Sequence, residues 1–223
     1  MQKSQDTPTI IATGILILFA IFTIIYFFSL NNIKDNSPST NSNNAIYHEH
    51  TENTNAQYNE NNVINIKKSY EEISSYTTDI YDKDKNRIYN IKLACERLDA
   101  HIVKPGEEFS FNNKLGNMGK AEGYKKSIGF DSNGNKIQMY GGGICQISST
   151  LYNAVLIAKF EVTERHAHSR RVYYVPKNKD ATVFAGGPDF KFKNTSDSNV
   201  MICTYTDGYK VTVTLKQEKI VEI

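Results

Sequence analysis

The longest hydrophobic run in the chain is 10–30, "IIATGILILFAIFTIIYFFSL", and it carries no charge. As a helix it would be about 31 Å long, enough to cross the hydrocarbon core of a bilayer. A cleaved leader would have a shorter apolar region, roughly 7–15 residues, and a small-residue cleavage site. The following "SLNNIKDNS" offers none. The pattern predicts an uncleaved single-pass anchor behind a short cytoplasmic tail, residues 1–9. Lys3 and the α-amine precede the run and only Lys34 follows it closely. That bias sets the remainder of the chain outside the membrane.

From 31 to 66 the pattern dissolves into asparagine and serine with few apolar residues and no period. Such a segment buries too little surface to offset the entropy of ordering, and reads as a disordered tether. His48 and His50 within it read as solvated side chains.

Periodicity returns in a body spanning 67–223. In "NRIYNIKLACERLDAHIV" Ile91, Cys95, Leu98 and Ile102 recur at i, i+4, i+7 and i+11, the core face of a helix of about 14 residues. "KPGEEFSFN" is a turn leading into a strand on which Phe109 and Phe111 alternate. "GYKKSIGFDSNGNKIQMY" is irregular or a hairpin around "DSNGN". From Cys145 to Ala158 a second helix shows Ile147, Leu151, Ala154 or Val155, and Ala158 on one face, with Ser148, Ser149, Thr150 and Asn153 among its polar positions.

The period then becomes two. "EVTERHAHSRRVYYV" alternates, with Glu164, His166, His168 and Arg170 on one side. "ATVFAGGPDFKFKN" is a second strand region, broken at Gly186-Gly187-Pro188. "NVMICTYT", an Asp207-Gly208 turn and "YKVTVTLK" form a closing hairpin with Tyr209, Val211, Val213 and Leu215 facing one way. The expected fold is α+β: one mixed domain with two main helices, antiparallel strands and a C-terminal hairpin, preceded by one transmembrane helix.

Charge adds little. The chain is +2 at pH 7. The acidic tether leaves the body mildly basic, which suits an anionic envelope surface. No nucleic-acid motif is present, and no cofactor is expected. Cysteine adds more. Three in an outward-facing body permit at most one internal disulfide. Cys95 and Cys203 read as small buried hydrophobes, and a bridge between them stays open.

Cys145 differs, because Gly141-Gly142-Gly143 and Ile144 lead into it and a helix follows. Glycines permit close backbone approach and positive φ. A helix start favours an anion, so it lowers a thiol's pKa, while an apolar burial would raise it. A nucleophilic thiol needs a base and the base an orienter. His166 and His168 follow, then Asp180 and Asp189. The order Cys, His, acid is that of papain-like and transglutaminase-like thiol enzymes. His168, or His166 in its stead, would take the thiol proton. Asp180 would hold the imidazole, and backbone N–H near Cys145 would stabilise an oxyanion. Two other readings stand beside it. Cys145, His166 and His168 suit an open zinc site. Alternatively the thiol is only a small residue in a tight turn of a binding domain.

The motifs together resemble the VanW-like family. They are "NRIYNIKLA", "VKPGEEFSFN", Gly123-Tyr124, "GGGICQISSTLYNA", "ERHAHS", "YVP", "DATV" and "GPDFKFKN", in the family's order. The resemblance implies a cell-envelope setting of Gram-positive type, a partner in cell-wall polymer or envelope proteins, and a link to B-type vancomycin-resistance clusters. It carries over Gly141, Gly142, Gly143, Gln146, Ser148, Ser149, Arg165 and Asp189 as candidate substrate-binding positions beside Cys145, His168 and Asp180. The chain departs from the family at "PKNKDATV", where Asn178 replaces a common glycine. Asn is the next-best residue at positive φ, so the turn should survive. Lys159 stands where relatives often close the cysteine helix with glycine. The function expected is a membrane-anchored envelope protein, with cysteine-dependent acyl transfer or amide cleavage on peptidoglycan-type peptides. The alternatives are non-enzymatic wall or partner binding, or the zinc site.

Overall fold

The computed structural model describes residues 66–222. The expected tail at 1–9, the anchor at 10–30 and the tether up to residue 65 lie outside them. Among the described residues no helix is long and apolar enough to cross a membrane.

In chain order the elements are β1 (Ile66–Asp79), α1 (Lys85–Leu98), β2 (His101–Val103), β3 (Glu108–Ser110), α2 (Phe111–Leu115), β4 (Lys126–Phe130) and β5 (Lys136–Tyr140). Then come α3 (Ile144–Ala158), β6 (Glu161–Glu164), β7 (Lys191–Lys193), β8 (Val200–Thr206) and β9 (Lys210–Glu222). All strand pairs are antiparallel. They make a four-stranded sheet ordered β1-β9-β8-β2, a three-stranded sheet ordered β3-β7-β6, and the β4-β5 hairpin. The α+β class and the two main helices are as the periodicity predicts.

Helix α3 lies against β1 and β9, and α1 against β8 and α3. The core between them is Ile91, Leu98, Ile147, Leu151, Val211, Val213 and Leu215, all fully buried. Asp84 opens α1, its Oδ1 accepting from the Arg87 N–H at 2.8 Å. This satisfies one of the amides a helix start leaves unpaired.

Helix α1 ends at Leu98, so Ile102 is not on its face. Ala100 turns the chain at φ 55°, and Ile102 pairs with Met201 in the sheet. Phe111 likewise is not on the strand with Phe109. It starts α2, capped by Ser110, and both rings are buried, Phe109 from the middle of β3 and Phe111 from the first position of the helix.

The expected strand through "EVTERHAHSRRVYYV" stops at Glu164. Residues 165–175 continue as irregular chain, so the two histidines do not share a strand face. Of "ATVFAGGPDFKFKN" only Lys191–Lys193 is strand. Tyr209 lies in the hairpin turn before β9 and is 68% exposed, unlike its expected face-mates. Strand β1 answers to no expected element. Its buried positions are Ser74 and Thr78, and a bulge interrupts its register between Glu72 and Ser74. Lys159 adopts φ 60° itself and donates to Leu156 and Val155, closing α3 without glycine. Asn178 takes φ 64°, as its substitution for glycine requires.

Candidate active site

The three glycines let the chain thread between α1 and β4 on its way into α3. A Cβ on Gly142 would stand 2.9 Å from the Ser127 and Ile128 carbonyl oxygens, and one on Gly143 2.9 Å from Arg87 Cγ. Gly143 caps α3 at φ 111°, a conformation that L side chains avoid. Buried Asn90 holds the strand–loop junction, donating to Gly142 O at 3.1 Å and Lys125 O at 2.9 Å. Gly141 and Gly142 are interior packing positions rather than an open cradle.

Beyond them, one face of α3 grips the segment 179–183. Ser148 Oγ donates to Ala181 O at 2.7 Å. Ser149 Oγ accepts from Ala181 N at 3.0 Å and donates to Cys145 O at 2.7 Å. Asn153 Nδ2 donates to Lys179 O at 2.7 Å, and the Cys145 thiol donates to Val183 O at 3.4 Å. These side chains are spent on backbone and, sulfur apart, are buried. Ser148 and Ser149 therefore fix where Asp180 sits. Gln146, 1% exposed, is spent likewise: its Nε2 donates to Thr78 Oγ1 and Asp79 O, tying α3 to β1.

Asp180 is matched on both oxygens. Oδ2 meets His168 Nδ1 at 2.7 Å and accepts the His168 N–H at 2.7 Å. Oδ1 accepts from Arg165 Nη2 at 2.8 Å, while Arg165 Nε donates to the Asp180 carbonyl at 2.6 Å. Arg165 thus orients the acid. With Nδ1 held, Nε2 of His168 is left for the thiol, and the Tyr174 hydroxyl lies 3.5 Å from it. His168 stands beside Cys145, close enough for its charge to act on the thiol.

Burial alone would push the Cys145 thiol up. The hydrogen bond and charge of His168 outweigh it, and the thiol stands below its ordinary value. Burial alone would push His168 down. Cys145 and then Asp180 outweigh it, and the imidazole stands above its ordinary value. Both directions favour a thiolate–imidazolium pair. Burial strongly raises Tyr174, so its phenol stays protonated beside them.

The structure therefore brings Cys145, His168 and Asp180 together and leaves His166 apart. The His166 ring bonds Glu164 Oε1 at 2.9 Å and is 48% exposed. Among the described residues no group of three His, Cys, Asp or Glu side chains is placed to hold a metal ion. Asp189 is a capping residue, accepting from Ser110 Oγ at 2.5 Å and from the Asn112 and Phe190 amides. Cys95 and Cys203 are free thiols. Two neighbours of the sulfur escape the sequence reading. Tyr174 resembles packing in "RRVYYVP". Arg87 stands four residues before Ile91, in phase with the buried face of α1, and a cation at a core position is its signal.

The family model described as "VanW like protein" matches residues 86–216. The "Uncharacterized protein YoaR" of Bacillus subtilis (strain 168) is 39% identical over 153 residues, 69% of this chain and 50% of its own length. The "Vancomycin B-type resistance protein VanW" of Enterococcus faecalis (strain ATCC 700802 / V583) is 34% identical over 142 residues, 61% of this chain and 48% of its own. The chain spans about half the length of these curated relatives. No solved structure matches it.

Proposed function

The chain belongs to the VanW-like family, and on that premise we propose that it is a cell-envelope protein in which Cys145, His168 and Asp180 carry out acyl transfer or amide cleavage on peptidoglycan-type peptides. The observation that carries this reading is the double tie of His168 to Asp180 at 2.7 Å, with the same imidazole partnering the Cys145 thiol. The name of the Enterococcus relative supports a further link to vancomycin resistance. The apolar run at 10–30 supports single-pass anchoring, with the body outside.

The chemistry follows from the geometry. The proton that Cys145 otherwise directs at the Val183 carbonyl passes to His168 Nε2. The thiolate attacks a peptide carbonyl, forming the C–S bond as the carbonyl π pair moves to oxygen. The Ile144 and Gln146 amides bond the Gly141 and Gly143 carbonyls, which leaves the Cys145 N–H to receive the oxyanion. The C–N bond then breaks and Nε2 gives its proton to the departing amine. Water, or an acceptor amine, attacks the thioester, returns a proton to His168 and releases the thiolate. Asp180 holds Nδ1–H throughout and is not itself protonated.

Incubating the full chain with defined peptidoglycan-type peptides and reading the intact mass tests this. A thioester adduct on Cys145, absent in Cys145→Ala, is expected. No adduct, together with a biological effect fully retained by Cys145→Ser, would overturn the enzyme reading and favour a binding domain.

A further inference from the structure

Among the described residues no carboxylate forms an ion pair with Arg87. Its stem crosses the start of α3, Cγ and carbonyl oxygen both closing on Gly143. Nη2 donates to Gln146 Oε1 at 3.1 Å, and Gln146 is itself pinned to Thr78 and Asp79. The guanidinium is therefore fixed over the turn that carries Cys145, on a neutral acceptor. Its Nε is enclosed with no hydrogen-bond partner.

The acid nearest in sequence, Asp84, lies within reach of the Arg87 charge but forms no ion pair with it. Asp84 Oδ1 is spent on the Arg87 backbone N–H and on Ser127 Oγ. Arg165, the other arginine of the site, shows the contrast, with Nε and Nη2 both matched on Asp180. A partly buried charge held on a neutral acceptor costs free energy that a counter-ion would recover. The Arg87 charge also reaches the Cys145 thiol and the Tyr174 phenol, opposing the burial that pushes each up. The missing anion would thus lie in the same field as the reacting sulfur.

We propose that Arg87 is the specificity residue of this site and that it binds a carboxylate of the acyl donor, so that the substrate is a peptide with a carboxylate close to the scissile carbonyl. This rests on Cys145 being the nucleophile. Guanidinium suits the task because its fork of N–H donors matches a carboxylate.

Paired alkylating reagents test it without knowledge of the natural substrate. In the full chain carrying Cys95→Ala and Cys203→Ser, Cys145 is alkylated by iodoacetate, which carries a carboxylate, and by neutral iodoacetamide. The rate ratio at one pH cancels the thiolate fraction, and the denatured chain gives the reference ratio. Folded protein is expected to favour iodoacetate by about tenfold over that reference, the size of one hydrogen-bonded charge contact. R87Q should lose the preference and R87K keep part of it, with a thermal melt confirming that each is folded. N-acetylglycylalanine should protect Cys145 from iodoacetamide and its C-terminal amide should not. Protection by N-acetylglutamate α-amide, whose free carboxylate is on the side chain, would instead assign a side-chain carboxylate rather than a chain end. A ratio equal to the reference, or unchanged in R87Q, would overturn the role of Arg87. Failure of the nucleophile reading is separately visible, because iodoacetamide alone would then react only at the ordinary pKa of a thiol.

Discussion

His168 and Asp180 are joined twice through one oxygen: ring Nδ1 and backbone N–H both meet Asp180 Oδ2 at 2.7 Å. The acid thus fixes the ring's position as well as its tautomer. Asp180→Asn should weaken both. We expect a loss of about 1.5–3 kcal/mol in urea unfolding, the range for hydrogen bonds to a charge. The pH midpoint of Cys145 alkylation should also rise, since an imidazole deprived of Asp180 holds its proton less firmly.

The two histidines should separate cleanly in the same assay. The native thiolate forms as pH rises through a lowered thiol pKa, so the midpoint of alkylation should lie below that of a free cysteine. His168→Ala should return the midpoint to that value or above it, because burial then acts unopposed. His166→Ala should leave the midpoint where it was, its ring being engaged with Glu164.

Gly142→Ala should be among the costly single-methyl changes. The added carbon would stand 2.9 Å from backbone carbonyl oxygens that cannot swing away. About 1–3 kcal/mol is expected from thermal or urea unfolding, the scale of overpacking. Gly106→Ala, with φ 74° but open space around it, should cost only the left-handed penalty of about 1–2 kcal/mol.

Ser149→Ala removes the hydroxyl that bonds both Cys145 O and Ala181 N. We expect a loss of about 1–3 kcal/mol, because buried backbone groups are left unpaired. The alkylation midpoint should shift as well, since Asp180 is the next residue along the loosened segment.

Glu164 gives an acid-side signature. Lys191 and then His166 hold its carboxyl down at about 2, against an ordinary 4.5. A depressed carboxylate stabilises fully above the unfolded value and loses that contribution as pH falls through the folded one. The stability gap between native protein and Glu164→Gln should be full above pH 4.5, narrow as pH drops and close near 2. Its size should stay under about 1 kcal/mol, because the group is partly exposed. A gap that widened on acidification would contradict the pairing.

The sequence announced the helices because their apolar positions recur at helical spacing, and it announced the closing hairpin through alternation and an Asp-Gly turn. It hid β1, whose inward residues are Ser74 and Thr78 rather than apolar side chains: Thr78 meets Thr150 Oγ1 at 2.9 Å, and the Ser74 hydroxyl is enclosed without a partner. Cys145, His168 and Asp180 were legible as chemistry, yet the choice of histidine was not. A period of two suggested one strand through both rings, and the strand ends before either. The serines of α3 were legible as polar helix positions, but their partners are main-chain atoms about 30 residues away. No spacing rule reports such contacts.

Strands β1 and β9 run antiparallel from Ile66 opposite Glu222 to Asp79 opposite Lys210. The two ends of the described chain therefore leave the domain side by side. A mechanical load applied between them would not shear the sheet. It would peel β1 from β9 one pair at a time, starting at Ile66, the mode of opening that needs least force. Thr78 and Asp79, which hold Gln146 beside the sulfur, lie at the far end of that seam. Under tension the end of the seam beside the candidate site would be the last part of the sheet to feel the pull.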